Sequence, residues 1–348
     1  MKPTRRDYCE FLVATQTNYT QTYLADYHPH FSHDAINRYL QDDNITPAIV
    51  WEHANKHIEQ DPDGFLLFDD SVSDKNTSHK IELVRRQYSG NAHALIKGIG
   101  VVNCLYVNPK SGHYWIIDWR VFDPQGDHKT KLQHVKEMFD EAIAVKKLAF
   151  RVVLMDSWYA TTELMVHIHR ASKIFYCPLK SNRLVDDSQA QQPYQAVSGL
   201  QWSDQATAYG KLIKVHKFPG PLKVKLFRVA TGNGRTEWVV TNDLEQDSVD
   251  DTRDICAVRW KIEQYHREVK QVLGIEKCQC RSAKAQRNHI GCVILAWIHF
   301  TALARSLKTT IYSMKERLMS NYMRQELIRP SVPGRSRAIA SKLSVVRH

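Results

Sequence analysis

Three acidic side chains, far apart in the chain, sit where phosphodiester chemistry could use them. The apolar run GFLLFDD ends in Asp69 and Asp70, and a second run, FRVVLMD, ends in Asp156. The third, Glu263, lies in DDTRDICAVRWKIEQYHREVKQVLG, residues 250–274, with Arg259 before it and His266 and Lys270 after it. Cutting or joining a phosphodiester needs an in-line nucleophile and neutralisation of charge on the attacking and leaving oxygens, which a pair of Mg2+ ions supplies. Mg2+ takes hard oxygen ligands and keeps several waters, so a few carboxylates suffice. Asp70, Asp156 and Glu263 are therefore the candidate catalytic residues and metal ligands. Neighbours on a strand point to opposite sides, so one of Asp69 and Asp70 faces the site, and Asp70 of FDDS is favoured. Asp156 has a plainer alternative as the cap of the helix WYATTELMVHIHR.

These residues need rigid elements to converge. At about 100° per residue, residues 250–274 read as one long helix. Ile255, Val258, Ile262, Val269 and Leu273 form a stripe for docking on a core, and Arg259, Glu263, His266 and Lys270 form the neighbouring stripe. Asp250 or Asp251 can cap its start, and Gly274 suits the left-handed turn past its end. Taken alone, the polar stripe could equally be a solvated face laced with ion pairs.

Ahead of the first acidic run, residues 1–60 read as helical, with short helices over 18–25 and 32–40 and a longer one over 46–60 opening on Pro47. SHDAINRYL, capped by Ser32, has either the look of a helix-turn-helix recognition helix, with Asn37 and Arg38 exposed, or that of a structural bundle. Strands follow over 64–70, 93–108 and 113–123, then a helix over 131–147, a strand over 150–156, a helix over 158–172 and a strand over 174–179. That order is a mixed α/β layer, and two carboxylates at the carboxyl ends of strands could share one edge. Between residues 180 and 241 the runs 210–217, 222–230 and 236–241 alternate like strands and contain no long helix.

The chain has 348 residues, with 48 Lys and Arg against 37 Asp and Glu, a net charge of +11 that favours a polyanionic partner. Seven irregularly spaced cysteines argue against a disulfide framework. Cys278 and Cys280 form a C-x-C without the second pair that a zinc knuckle needs. No signal peptide opens the chain. The apolar segment 291–304, interrupted by His299, is too short to cross a bilayer and reads as a buried helix. Lys308, Lys315, Arg317 and Arg324 follow on a further helix, and the basic tail, residues 332–348, is either a phosphate-binding arm or a frayed end.

FDDS, VVLMDSWYATTEL, TEWVVTND and RWKIEQYHREVK together resemble the DDE transposases of bacterial insertion sequences, most of all the insertion-sequence-four group. The resemblance covers about residues 60 to 310. It implies a ribonuclease H-like core interrupted by a β-rich insertion before the helix that bears the glutamate. The group's signature is Tyr, two residues, Arg, three residues, Glu, six residues, Lys. Arg259, Glu263 and Lys270 match it, and Cys256 stands at the tyrosine position. The resemblance implies that Arg259 and Lys270 hold phosphates of a transposon end, and Cys256 puts the positioning of the 5′ phosphate in question. Trp238 stands where some members stack a tryptophan on a flipped base, a role its chemistry suits, the alternative being a strand-core aromatic. Arg85 and Arg86 in VRRQYSG, and Lys180 and Arg183 in PLKSNR, are further DNA-binding candidates close to core strands.

The expected fold is an α/β ribonuclease H-like mixed sheet with a β-rich insertion, an N-terminal helical domain and a C-terminal helical region. The partition is 1–60 helical and DNA-binding, 61–180 the first part of the core, 181–248 the insertion, 249–275 the glutamate helix and 276–348 the C-terminal helices and tail. The expected function is Mg2+-dependent transposition, with Mn2+ as a substitute cofactor. The partners are double-stranded DNA, both terminal inverted repeats and target, and a second copy of the chain in the DNA complex. No membrane is involved, and the location is cytoplasmic, on the nucleoid when bound. A related nuclease without strand transfer, and a catalytically silent DNA-binding protein, are the rival readings.

Overall fold

Thr4 accepts a hydrogen bond from the Asp7 amide while Asp7 bonds back to the Thr4 amide, a reciprocal cap that starts the first helix at the very beginning of the chain. The structure, a computed structural model, describes residues 2–78, 80–90, 92–188, 193–230 and 234–328. Helix α1 (Arg5–Ala14) turns Tyr8, Phe11 and Leu12 inward, a spacing of three and four that the sequence carried and the expected element order left out. Then come α2 (Gln21–Tyr27), α3 (His33–Asp42, capped by Ser32 as expected) and α4 (Pro47–Ala54, with Pro at its first turn).

Strand β1 (Phe65–Asp74) is followed by β2 (Arg85–Ser89), β3 (Ala94–Val107) and β4 (Tyr114–Val121), and then by α5 (Lys131–Ala144), β5 (Val152–Met155), α6 (Thr162–Arg170) and β6 (Ile174–Leu179). Strands β4, β3 and β1 are antiparallel neighbours, whereas β5 and β6 run parallel to β1, giving the order β4-β3-β1-β5-β6 of a ribonuclease H-like core. Next are β7 (Leu184–Asp186), β8 (Gln195–Ala196), a short α7 (Asp204–Tyr209), β9 (Lys211–Val215), β10 (Val224–Ala230) and β11 (Thr236–Thr241). Strand β11 pairs antiparallel with β6, so among the described residues these strands extend the same sheet to 11 strands.

The chain closes with α8 (Val249–Ala257), α9 (Trp260–Gln271), α10 (Ala283–Ser306) and α11 (Ile311–Ile328). The single long helix expected over residues 250–274 is instead two helices joined through Val258 and Arg259. Both residues keep helical dihedrals, but the amides of Val258, Arg259, Lys261 and Ile262 bond three residues back instead of four. This one tight turn separates the part packed on β10 and β6 from the part packed on β1 and α10. The start is capped by Ser248, not Asp250 or Asp251: its hydroxyl accepts the Asp251 amide, and the two aspartates occupy the first turn. Gly274 has φ +66°, and a Cβ there would lie 2.7 Å from the Tyr19 ring, so glycine serves both the left-handed turn and the close approach of the N-terminal segment.

Apolar side chains cover both faces of the sheet. One core joins the alternate residues Phe65, Leu67, Val152 and Leu154 to α1–α4, α9 and α10; the other joins Leu66, Phe68, Val153 and Met155 to α5 and α6. Helix α10 is long and apolar enough, by length and composition, to cross a membrane, but 72% of its most apolar window is buried within this fold. It is the central core helix, longer than the segment read from the sequence. The basic tail lies outside the described residues.

Candidate active site

Strands β1 and β5 are in parallel register up to Phe68 and Met155, so Asp69 and Asp156 follow side by side at the carboxyl edge. Alternation sends Asp69 to the face that α9 covers, with Phe65 and Leu67, and Asp70 to the face of α5 and α6, with Leu66 and Phe68. Asp70 is held from two sides: Lys131 at the start of α5 donates to Oδ2 at 2.6 Å, and the buried Tyr159 hydroxyl donates to Oδ1 at 2.7 Å. Asp156 Oδ1 accepts the amides of Trp158 and Tyr159 at 2.9 and 3.1 Å, closing the turn after β5. It does not cap α6, whose cap is Thr161.

Burial raises the Asp69 carboxyl well above the usual range, and the charges of Asp156 and Asp70 add to the rise. Burial raises Asp156 as well, against the two amides and Arg259, which lower it. Arg259 is the cation among these groups. It favours the charged forms of both Asp69 and Asp156, and its Nη1 donates to Glu263 Oε1 at 3.1 Å. The tight turn between α8 and α9 thus leaves the guanidinium paired with the helix glutamate and near enough to the strand-end aspartates to favour their charged forms.

Helix α9 is anchored by Ile262 and Val269, and the chain just past it by Leu273, each buried and each contributing about 1.5–3 kcal/mol when fully removed from water. His266 is also buried, and burial, with Lys270 nearby, pushes its imidazole down to about 3, so the ring is neutral. Asn103, the cross-strand partner of Asp69, donates to His266 Nε2 at 3.1 Å. The ring proton therefore sits on Nδ1, 3.9 Å from Asp69 Oδ2. Lys270 donates to the Val72 carbonyl of β1 at 3.0 Å and pairs with Glu276 at 2.9 Å, which ties the far end of α9 to β1. Cys256 on α8 is a partly buried thiol pushed up to about 12, chiefly by burial.

The other basic candidates divide. Arg85 is paired with Asp123 at 2.8 Å, whose carboxylate also takes Arg287, while Arg86 projects from β2 into solvent. Lys180 and Arg183 line a cleft of about 350 Å³ beside Asp156, together with Ser157, Trp158, Thr162 and Lys217, and among its described lining residues none is acidic. Arg183 donates to Thr162 Oγ1 at 2.5 Å, its Nε is buried without a partner, and burial lowers its pKa. Trp238 is half-buried on β11 opposite Leu179 and packs in part on the α5–α6 core. The more exposed indoles are Trp158 at 46% and Trp260 at 53%, next to Asp156 and Arg259. Sequence reasoning passed over Lys131, Asn103, Tyr159 and Trp158. Only Tyr159 and Trp158, within three residues of Asp156 in MDSWY, had a local signal.

Asp69 and Asp156 share one edge with Asp70; Lys131 pairs with Asp70, and Arg259 favours the charged forms of the other two. That donor set of hard oxygens, with its like charges pressed together, fits a divalent cation. Glu263 is turned to Arg259, and among the described residues no three groups are already gathered at metal-ligating distance.

A family described as "Transposase DDE domain" matches residues 68–298, a stretch that spans both strand-end aspartates and the helix glutamate. No curated protein matches the chain in sequence. Among solved structures, the piggyBac transposase synaptic complex with hairpin DNA is similar at 12% identity and TM-score 0.48, over 97% of this chain and 73% of that one. Ciona intestinalis endonuclease V in complex with a 24mer DNA is similar at 10% identity and TM-score 0.27, over 65% and 96%. The catalytic domain of human endonuclease V gives 12% and 0.27, over 76% and 95%.

Proposed function

The chain belongs to the DDE transposase-domain family, and from that premise we propose that it is an Mg2+-dependent cut-and-paste transposase of the bacterial insertion-sequence-four-like group. It cleaves double-stranded DNA at terminal inverted repeats and joins the freed end to a target. What supports this reading is that the ends of β1 and β5 lie side by side and the Arg259–Glu263 pair, whose guanidinium favours the charged forms of Asp69 and Asp156, falls inside the stretch that the family matches.

Asp70, Asp156 and Glu263 would hold the ions, with Mn2+ able to replace Mg2+. When bound, Mg2+ supplies Lewis acidity to the attacking and leaving oxygens. Asp70 is taken as the ligand because Tyr159 already orients its carboxylate and Lys131 pairs with Oδ2; Asp69, on the α9 face with Glu263, is the alternative first ligand. Asp69, with Asn103 and His266, then fixes the pitch of α9 against β1. Arg259 passes from Glu263 to a phosphate of the DNA end, freeing the glutamate, and Lys270 holds α9 to β1 until it too meets phosphate. The acid-free cleft with Lys180 and Arg183 takes the backbone leading away from the cut, Arg86 adds a further phosphate contact, and Trp238 and the exposed Trp158 offer aromatic faces to unstacked bases.

The N-terminal helices, residues 1–60, bind the terminal repeats, two copies of the chain join two ends, and the protein works in the cytoplasm on the nucleoid. A second reading, a DNA-binding protein that no longer cuts, draws on Glu263 facing Arg259 and on Cys256 at the signature tyrosine position. One experiment separates them: purified protein, labelled duplexes from the DNA flanking its gene, and Mg2+, with Glu263→Ala alongside. Nicking at the element boundary that needs the metal and vanishes in Glu263→Ala supports the transposase, and joined products extend it to strand transfer. Binding without cutting, equal in both proteins, refutes it.

A further inference from the structure

The C-x-C of residues 278–280 lies outside the candidate active site, and its backbone is closely held. It lies in the loop between α9 and α10. Lys75, 3% exposed, donates through Nζ to the carbonyls of Glu276 at 2.6 Å and Cys278 at 2.5 Å. Gln286, 1% exposed, clamps the carbonyls of Cys278 and Cys280 at 3.2 and 2.7 Å, and the Glu82 amide takes the carbonyl of Arg281 at 3.0 Å. The loop backbone is thus fixed from three sides.

The buried ammonium of Lys75 has no carboxylate at ion-pair distance among the described residues. Glu276 is paired with Lys270 at 2.9 Å, and Asp74 accepts the Asn76 amide at 2.7 Å. Burial works against the lysine charge, and the Cys278 sulfur leads the groups that favour it, ahead of Glu276, Cys280 and Asp74. Interaction with Cys280, together with Lys75, holds the Cys278 thiol below its usual range against burial, which raises it. A buried cation needs a counter-charge, and the ammonium sits on the backbone carbonyl of Cys278 itself. Both cysteines line a cleft of about 570 Å³ that also includes Gln21, Asn37, Glu82 and Arg281.

We propose that Cys278 and Cys280 form an oxidisable dithiol, Cys278 being the nucleophilic thiolate paired with the Lys75 ammonium and Cys280 the resolving thiol. The oxidant is a hydroperoxide. The Cys278 sulfur attacks its terminal oxygen, the O–O bond breaks, the other oxygen leaves as an alcohol or water after taking a proton, and the cysteine becomes a sulfenic acid. The Cys280 sulfur then attacks that of Cys278, the S–S bond forms, and the sulfenic hydroxyl leaves as water with the Cys280 proton. Two electrons pass from the two thiols to the peroxide. The disulfide removes Cys280 Sγ from Gln21 Nε2, which donates to it at 2.9 Å, and so breaks a contact between α2 and the loop.

The test treats the full-length reduced protein with hydrogen peroxide at neutral pH and follows each cysteine by timed alkylation and mass spectrometry, folded and in urea. Cys278 in the native protein is expected to react at least about tenfold faster than in urea, because a thiolate replaces a few per cent of one. It should end in a peptide with a 278–280 disulfide. Cys280→Ser should instead accumulate the Cys278 sulfenic acid, trapped by dimedone, and Lys75→Arg should keep the rate that Lys75→Met loses. A native rate at or below that in urea, or Cys278 and Cys280 staying reduced while Cys256 and Cys292 oxidise, overturns the proposal.

Discussion

Replacing His266 with glutamine tests whether the histidine is the neutral spacer that positions the glutamate helix. Its imidazole is pushed from an ordinary 6.5 down to about 3 by burial and by Lys270. A depressed histidine gives stability that is complete above the unfolded value of about 6.5 and is lost as pH falls from there toward 3, because the unfolded chain binds the proton first. Between pH 7 and pH 5 that loss is about 2 kcal/mol, at about 1.4 kcal/mol per unit below 6.5. The wild-type curve alone would hide it. Asp69 and Asp156 have raised values, so their contribution is present below the unfolded carboxylate value, is lost as pH rises, and runs against that of His266 in this window. The variant removes only the histidine contribution, since the glutamine side-chain carbonyl can still accept from Asn103. Urea unfolding of both proteins at pH 7, 6 and 5 is the assay. The stability gap in favour of wild type should shrink by about 2 kcal/mol from pH 7 to pH 5. A gap that stays constant over that range would show that the ring is solvated or charged in the folded protein, and the Asn103–His266–Asp69 arrangement would be wrong.

Two further variants bear on the same edge. Asp70→Asn should lower Mg2+-dependent cleavage by at least about a hundredfold, while Asp69→Asn should keep measurable cutting and melt higher than wild type at pH 7, since it removes a carboxyl that burial disfavours in its charged form; the reverse order of activities moves the ligand to Asp69. Gly274→Ala should cost about 2–3 kcal/mol in urea unfolding, from about 1–2 for a left-handed non-glycine residue plus displacement of Tyr19 from 2.7 Å, and a loss under about 0.5 kcal/mol would mean that the turn can relax.

The core strands, and the acidic residues at their ends, were legible because local rules govern them. Alternation and apolar runs mark β1, β5 and their neighbours, and the acidic residue ending each run marks an edge. The tight turn at Val258–Arg259 was not legible, for a physical reason. Nothing in AVRWKIE breaks a helix, and both residues stay helical. What tightens the turn is that α8 and α9 dock on different parts of the sheet, a tertiary demand that no window of sequence contains. The same holds for Lys131 and Asn103, which meet the site only through strand order. Lys131 is an ordinary first-turn residue of an amphipathic helix until α5 packs against the face to which Asp70 points. Asn103 is one residue in a long apolar strand until β3 pairs with β1 in the register that sets it beside Asp69. The helix glutamate shows the consequence for function. Its residue type and spacing could be read from RWKIEQYHREVK, but its state could not: the turn that delivers Arg259 to the aspartates also hands it Glu263. The cation that favours the charged forms of the strand-end aspartates is therefore the one that pairs with the glutamate.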